Sequence, residues 1–87
     1  MGASTAGTGK AGRELLRIID EQTDLATPKA RLFSRPRGRY CVGASRRAFN
    51  EATFATLADA GLIDRGYAEG IGDVVQLTAA GRRLLGA

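Results

Sequence analysis

The apolar residues near the N-terminus recur at the spacing of one helix face. The pattern begins at residues 10–12, and its apolar positions are Leu15, Leu16 and Ile19. Most of the positions around them are charged, as on the solvent side of an amphipathic helix. We therefore predict a first helix that ends near Thr23. Its exposed face carries Arg13, Arg17, Asp20 and Glu21.

Two short runs with alternating side chains follow, at residues 30–34 and 39–42. The connecting Arg-Pro-Arg-Gly suits a type I turn with a glycine bulge, in which Gly38 takes the left-handed conformation. If Arg35 faces Arg39 across this loop, alternation sorts the hairpin into two faces. The apolar face then holds Leu32, Tyr40 and Val42, and the other face holds Arg31, Phe33, Arg35, Arg39 and Cys41.

The second helix has two possible starting points, Ser45 and Asn50. A start at Ser45 would extend the apolar stripe backwards over polar residues. A start at Asn50 makes that residue the N-cap and lets Phe49 pack on Phe54 as a hydrophobic staple. We therefore predict a break at Asn50. The stripe consists of Phe54, Leu57, Ala58 and Gly61.

The last third of the chain predicts a second hairpin and a closing helix. The second helix ends at Gly61, and residues 62–66 and 74–78 have the pattern of strands joined by a glycine-rich loop over residues 67–73. Thr78 can cap the closing helix. The predicted fold is a small α+β domain with the order α-β-β-α-β-β-α. Its shared core contains Leu15, Ile19, Phe54, Leu57, Leu62, Leu77 and Leu84.

Charge is distributed unevenly along the 87 residues, whose net charge is +4. Residues 1–49 carry ten Lys or Arg against four Asp or Glu, whereas residues 50–87 carry three against five. Within residues 29–47, seven of nineteen side chains are basic and none is acidic. A basic patch beside an acidic remainder is typical of a polyanion-binding surface, although many solvated surfaces are also uneven.

Several kinds of protein are disfavoured by composition. The chain has one cysteine, Cys41, and no histidine, so we predict neither an intramolecular disulfide nor a metal site, and interpret Cys41 as a packing residue. No catalytic set is evident, so an enzyme is not expected. No apolar run has membrane-spanning length and no signal peptide is visible, which predicts a cytoplasmic protein without membrane contact.

The N-terminal residues 5–11 read TAGTGKA and partly match a phosphate-binding loop. The match fails because Ser4 stands where the first glycine belongs, and Ala11 stands at the magnesium-binding position. No cofactor is therefore predicted. We interpret residues 1–9 as a disordered tail and residues 10–87 as the folded domain.

The last 38 residues or so carry a pattern that resembles the winged helix-turn-helix domains of small bacterial DNA-binding regulators. It consists of Phe54-x-x-Leu57-x-x-x-Gly61-Leu62-Ile63-x-Arg65, followed by Val75-x-Leu77-Thr78-x-x-Gly81-Arg82-x-Leu84. The resemblance implies that the helix ending in Gly-Leu-Ile is a recognition helix, that the following hairpin is a wing, and that Thr78 opens a closing helix. It implies double-stranded DNA as the partner and a role in transcription regulation.

Two features depart from the family pattern. The recognition helix exposes no Lys or Arg, and the wing loop carries Glu69 and Asp73. The segment where a short second helix would stand is instead predicted to be the arginine-rich hairpin. We therefore predict that the hairpin and the N-terminus of the second helix contact phosphates. The predicted nucleic-acid-binding residues are Lys29, Arg31, Arg35, Arg37, Arg39, Arg46 and Arg47 for phosphates, and Asn50, Thr53 and Thr56 for base edges.

Two functions remain open from the sequence. The first is a DNA-binding regulator, in which a homodimer would double the contact area. The second is a protein-interaction module, similar to a phage or toxin inhibitor, that docks the basic hairpin on an acidic partner. Phe33 among arginines favours the second function because aromatic and arginine side chains dominate interface energies.

Overall fold

A computed structural model describes residues 9–86 of the chain. Within this range, three helices and a five-stranded antiparallel sheet form an α+β domain, which confirms the predicted class. The elements are α1 (Gly9–Glu21), β1 (Ala30–Arg35), a 3-10 turn (Pro36–Gly38), β2 (Arg39–Val42), β3 (Ala48–Asn50), α2 (Glu51–Asp59), β4 (Ile63–Ala68), β5 (Gly72–Leu77) and α3 (Ala79–Gly86). The strands lie in the order β3-β2-β1-β5-β4.

Helix α1 buries the predicted face. Leu15, Leu16 and Ile19 are fully buried, and the four charged residues predicted for the other face are exposed. The helix ends at Glu21, where the Thr23 hydroxyl donates a 2.9 Å hydrogen bond to the Ile19 carbonyl. Helix α1 begins at Gly9, one residue before the predicted start of the folded domain. The rest of the tail lies outside the described residues.

The β1–β2 hairpin has the predicted register, with Arg35 opposite Arg39 and Leu32 opposite Val42. Its turn is different from the prediction. Gly38 is left-handed, with φ 68°, but Arg37 also has a positive φ of 66°. A type I turn requires negative φ at that position. The left-handed conformation costs a side-chain-bearing residue about 1–2 kcal/mol, so Arg37 is held in a strained backbone conformation.

Strand β3 is the element that the sequence pattern does not predict. It pairs with β2, placing Ala48 opposite Cys41, Phe49 opposite Tyr40 and Asn50 opposite Arg39. The predicted break at Asn50 is confirmed, because Asn50 is extended and α2 begins at Glu51. The Asn50 side chain makes no capping hydrogen bond, since strand pairing commits this residue to the sheet.

The β4–β5 hairpin has longer strands and a tighter turn than predicted. Tyr67 pairs with Asp73 and Ala68 pairs with Gly72, which leaves only residues 69–71 in the turn. The predicted cap of α3 is confirmed: the Thr78 hydroxyl accepts a hydrogen bond from the Gly81 amide at 3.1 Å. The same hydroxyl donates to the Gly61 carbonyl at 2.7 Å, which ties the closing helix to the end of α2.

One hydrophobic cluster joins all three helices to a single face of the sheet. The predicted core is confirmed for Leu15, Ile19, Phe54, Leu57 and Leu77, which are buried, while Leu62 and Leu84 are half-buried against it. The Phe54 ring packs edge-on against Phe49 and Tyr40, with ring centroids 6.5 and 5.9 Å apart, so the predicted staple of Phe49 on Phe54 is formed. None of the three helices within residues 9–86 packs on the opposite face of the sheet. Between residues 9 and 86, no helix is both long enough and apolar enough to cross a membrane.

Candidate nucleic-acid interface

The uncovered face of the sheet brings together side chains from three neighbouring strands. Arg35 on β1 lies opposite Arg39 on β2, which in turn lies opposite Asn50 on β3. Because side chains alternate along a strand, these three residues point to the same face. A second row lies parallel to this one, shifted by two residues along each strand. It consists of Phe33, Cys41 and Ala48. The hairpin therefore presents a charged row beside a largely apolar row.

Four arginines surround one concavity at the hairpin end of this face. We call it the arginine groove. It has a volume of about 330 Å³ and is lined by Arg35, Pro36, Arg37, Arg39, Arg46 and Ala48. All four arginines are exposed. None of them forms an ion pair with a carboxylate in residues 9–86, where the ion pairs involve Arg17, Arg47 and Arg65.

The facing pair Arg35 and Arg39 is unfavourable for stability. Residues directly opposite each other in an antiparallel pair have Cβ atoms roughly 4.5–5.5 Å apart, and like charges at such positions destabilise the sheet. Two arginine side chains that leave the sheet this close together produce a positive potential that an anion can neutralise. Each guanidinium also presents a fork of donors that matches the oxygens of a phosphate.

A second concavity adjoins the first, and we call it the Phe33 groove. It has a volume of about 490 Å³ and is lined by Phe33, Arg35, Cys41, Gly43, Ser45 and Arg46. The Phe33 side chain is 41% exposed. Cys41 is buried, as predicted for a packing residue, and its thiol lies 3.7 Å from the Arg46 carbonyl oxygen that it contacts as donor. The two grooves share Arg35 and Arg46, so they form one continuous surface.

The loop that carries Arg46 is positioned by the end of α1. The Gln22 side-chain oxygen accepts a 2.8 Å hydrogen bond from the Ala44 amide, and the Gly43 amide donates to the Arg31 carbonyl at 2.7 Å. Gly43 has a φ of 53°, and a Cβ atom there would lie 2.5 Å from the Gln22 oxygen. The sequence analysis did not identify Gln22 and Gly43 as residues that position this loop. The one available signal was that a glycine, Gly43, comes directly after the predicted strand.

Three of the predicted phosphate-binding residues lie outside the arginine groove. Arg47 turns toward the helical layer, where its guanidinium is 4.0 Å from the Glu14 carboxylate and 4.9 Å from the centre of the Phe49 ring. Arg31 stacks on Phe33 at 4.8 Å from the ring centre. Lys29 is exposed just before β1 and lines a small cleft beside β4 and β5. Arg46 therefore lines the arginine groove, whereas its neighbour Arg47 does not.

The N-terminus of α2, which is predicted to help bind phosphate, carries an acidic residue that is paired with an arginine. Glu51, the first residue of α2, accepts two hydrogen bonds from the Arg65 guanidinium, at 2.6 and 3.0 Å. The hydrogen bonds from Arg65 hold the pKa of the Glu51 carboxyl below its ordinary value of 4.5. An ionised carboxylate therefore already occupies the positive end of the helix dipole.

The predicted base-reading residues are divided between two layers. Asn50 lies in the same cross-strand row as Arg35 and Arg39. Thr53 and Thr56 lie on α2, in the helical layer, and neither lines the arginine groove. Thr53 is half-buried and Thr56 is exposed.

The turn of the β4–β5 hairpin presents acidic and apolar side chains. Glu69 and Asp73 are exposed, and so are Tyr67 and Ile71, whose exposed fractions are 75% and 50%. This hairpin therefore differs in charge from the arginine groove.

Within residues 9–86, no group of three or more Cys, Asp or Glu side chains is arranged to hold a metal ion. Comparison of the chain with protein-family models, with curated proteins and with solved structures finds no match.

Proposed function

We propose that this protein is a small DNA-binding regulator that contacts the phosphate backbone of double-stranded DNA through the arginine groove. The observation that carries the proposal is the set of four exposed arginines around one concavity, none of them paired with a carboxylate in residues 9–86. Phosphate contacts from arginines supply most of the sequence-independent affinity of DNA-binding proteins.

We interpret the domain as a modified winged helix. Support comes from the succession of α2, the β4–β5 hairpin and the Thr78-capped helix α3, which are the elements that the sequence resemblance implies. In this interpretation, strands β2 and β3 replace the short helix that would normally precede the recognition helix. The acidic residues at the start of α2 and in the wing then leave the hairpin as the main phosphate-binding element.

Asn50 is the best-placed candidate for reading a base edge, because it extends the row of Arg35 and Arg39. Its amide can both donate and accept hydrogen bonds, as adenine recognition requires. Thr53 and Thr56 would reach a base only if the DNA also contacted the helical layer. Such a regulator would act in the bacterial cytoplasm, and a homodimer would double the modest contact area of one domain.

The proposal is tested by fluorescence anisotropy with a duplex of random sequence at several salt concentrations. The logarithm of the affinity should fall with the logarithm of salt at about −0.9 per phosphate neutralised. Replacing Arg35, Arg37 and Arg39 together by Gln should weaken all duplexes similarly and reduce the slope by about one unit per contacting arginine. A matched control replaces Arg13, Arg82 and Arg83, which lie outside both grooves, by Gln.

The proposal is wrong if the folded groove variant binds duplex DNA as the wild type does. It is also wrong if the control variant loses as much affinity and as much salt dependence as the groove variant, because net charge alone would then explain the binding.

A second candidate function is recognition of an acidic protein surface. It is favoured by the exposed Phe33 ring, which lies between Arg31 and the arginine groove. An aromatic anchor among arginines is a common composition of an interface hot spot. This function predicts little binding to duplex DNA at physiological salt, and loss of the protein partner in the same arginine variant and in Phe33→Ala.

A further inference from the structure

We infer that the Phe33 groove binds an unpaired base of a single-stranded nucleic acid while the arginine groove holds the adjoining phosphates. The inference rests on the proposed function, since it needs nucleic acid as the partner, and it adds that the same surface also accepts an unpaired nucleotide. It follows from the continuity of two concavities, one that contains the Phe33 ring and one lined by four arginines, which share Arg35 and Arg46.

The Phe33 groove has the chemistry of a base-binding site. At about 490 Å³ it lies within the usual size range of small-molecule pockets. Its floor is formed by Phe33 and Cys41, which face each other across β1 and β2. A partly exposed aromatic ring offers a flat surface on which any nucleobase can stack. Paired bases in a duplex are already stacked on their neighbours, so this surface is available only to an unpaired base.

Phe33 is free to take this role because it is not part of the core. It is absent from the hydrophobic cluster that joins the helices to the sheet, and its side chain is 41% exposed. Arg31 stacks against the ring at 4.8 Å but does not line the groove, so it holds the ring from outside the proposed site. The Arg31 guanidinium also limits the motion of the Phe33 ring before a ligand binds, so the ring loses less conformational entropy on binding.

The spacing of the two rows fits a nucleotide. The row of Phe33 and Cys41 is two residues along the strand from the row of Arg35 and Arg39, which is roughly 6.6 Å. A base on Phe33 therefore places its phosphate toward Arg35 and Arg46, and the next phosphate along the strand reaches Arg39. Ser45 lines the same groove and can donate to a base edge or a sugar.

The test compares two single strands with the same number of phosphates, an oligothymidine 12-mer and a fully abasic 12-mer. Both carry a fluorophore, and anisotropy gives their affinities for the wild-type protein and for Phe33→Ala, Phe33→Tyr and Ile71→Ala. Ile71 is a matched control because it is a similarly exposed apolar residue outside both grooves. A blunt duplex is measured in parallel with the triple arginine variant described above.

Wild-type protein should bind the oligothymidine about 5- to 100-fold more tightly than the abasic strand, as expected for base stacking on an aromatic side chain. Phe33→Ala should remove the difference in affinity between the two strands and leave the affinity for the abasic strand unchanged. Phe33→Tyr and Ile71→Ala should keep the difference in affinity. Equal affinity of the wild type for the two strands would overturn the inference, and so would a preference that survives Phe33→Ala. In either case the proposed function would stand as long as duplex binding still depends on the arginines. Duplex affinity that is indifferent to the arginines would instead overturn the proposed function.

Discussion

Arg35 and Arg39 face each other across the β1–β2 hairpin, and neither has an acidic partner among residues 9–86. Nothing in the fold of the hairpin requires two positive charges at these positions. Their side chains point away from the core, and any polar residue would satisfy the alternation of the strands. The Arg35–Arg39 pair destabilises the sheet and is not needed for folding. Residues that conflict with local stability in this way are expected at functional sites.

Arg39→Glu should separate stability from binding. A cross-strand pair of Arg35 with a carboxylate contributes about 0.2–1 kcal/mol relative to a pair of alanines, and the change also removes the like-charge repulsion, so the free energy of unfolding should rise by at least this amount. The same change should lower duplex affinity sharply, because it places a negative charge in the arginine groove. Urea denaturation and anisotropy measure the two effects. Arg82→Glu changes net charge equally outside the groove and should leave most of the affinity intact. Loss of both stability and affinity in Arg39→Glu would contradict this account.

Arg37→Gly should keep or increase stability while it weakens DNA binding. Arg37 has a φ of 66°, a conformation that glycine adopts without steric cost. The relief is offset in part by the greater freedom of glycine in the unfolded chain, so the expected gain is about 0–1 kcal/mol. Arg37→Ala removes the same charge but keeps the strain. The two variants should therefore differ in urea denaturation midpoint and agree in salt dependence of duplex binding. A lower midpoint for Arg37→Gly than for Arg37→Ala would contradict the strain assigned to Arg37.

Gly81→Ala should be strongly destabilising. A Cβ atom on Gly81 would lie 2.2 Å from the carbonyl oxygen of Leu62, which also accepts the Thr78 amide. Helix α3 would have to move away from the end of α2, at a cost of about 1–3 kcal/mol or more. Gly86→Ala is the matched control in the same helix, because a Cβ there meets nothing within 4 Å. Thermal denaturation should show a large fall in melting temperature for the first variant and almost none for the second. Similar melting temperatures for both would mean that α3 does not pack as described.

The Glu51–Arg65 pair should make stability sensitive to acid. The folded pKa of Glu51 is lowered below 4.5, chiefly by the hydrogen bonds from Arg65. The ionised carboxylate therefore stabilises the fold at pH values above the unfolded pKa, and this contribution is lost as pH falls through the lower folded pKa. Both side chains are substantially exposed, so the contribution is about 0.2–1 kcal/mol.

Glu51→Gln should lower the free energy of unfolding at neutral pH and lower it less at roughly pH 2, because a larger fraction of the Glu51 carboxyl is protonated there. Urea denaturation at the two pH values measures this. Glu69→Gln, at the β4–β5 turn and outside any ion pair between residues 9 and 86, is the control. An equal loss in Glu51→Gln at both pH values would show that the ion pair is not its cause.

Features that depend on near neighbours in the chain could be predicted from the sequence. The buried face of α1 follows from helical spacing, and the register of Arg35 with Arg39 follows from the length of the turn. The break at Asn50 and the Thr78 cap follow from the chemistry of helix ends. Each of these choices is decided within a few residues, where steric limits and hydrogen bonding leave few alternatives.

Strand β3 and the left-handed Arg37 could not be predicted in the same way. Three residues are too few to show alternation, and β3 follows the pair Arg46 and Arg47, which has no strand pattern. It pairs with β2 across the short loop of residues 43–47, and this pairing becomes favourable only when Phe49 enters the core beside Phe54. That pairing also fixes Asn50 in the sheet and removes it from the role of side-chain cap.

The sequence determined that a dense group of arginines lies next to the second helix, but only the tertiary structure decided which of them act together. Arg46 and Arg47 are adjacent and chemically identical, yet Arg46 lines both grooves while Arg47 turns to Glu14 and Phe49. The division occurs because the loop before β3 is anchored to Gln22 and because consecutive residues there project toward different layers. Charge density is a property of the chain, whereas the convergence of these charges around one groove depends on how β1, β2 and β3 pair and on the contact of Gln22 with the loop before β3.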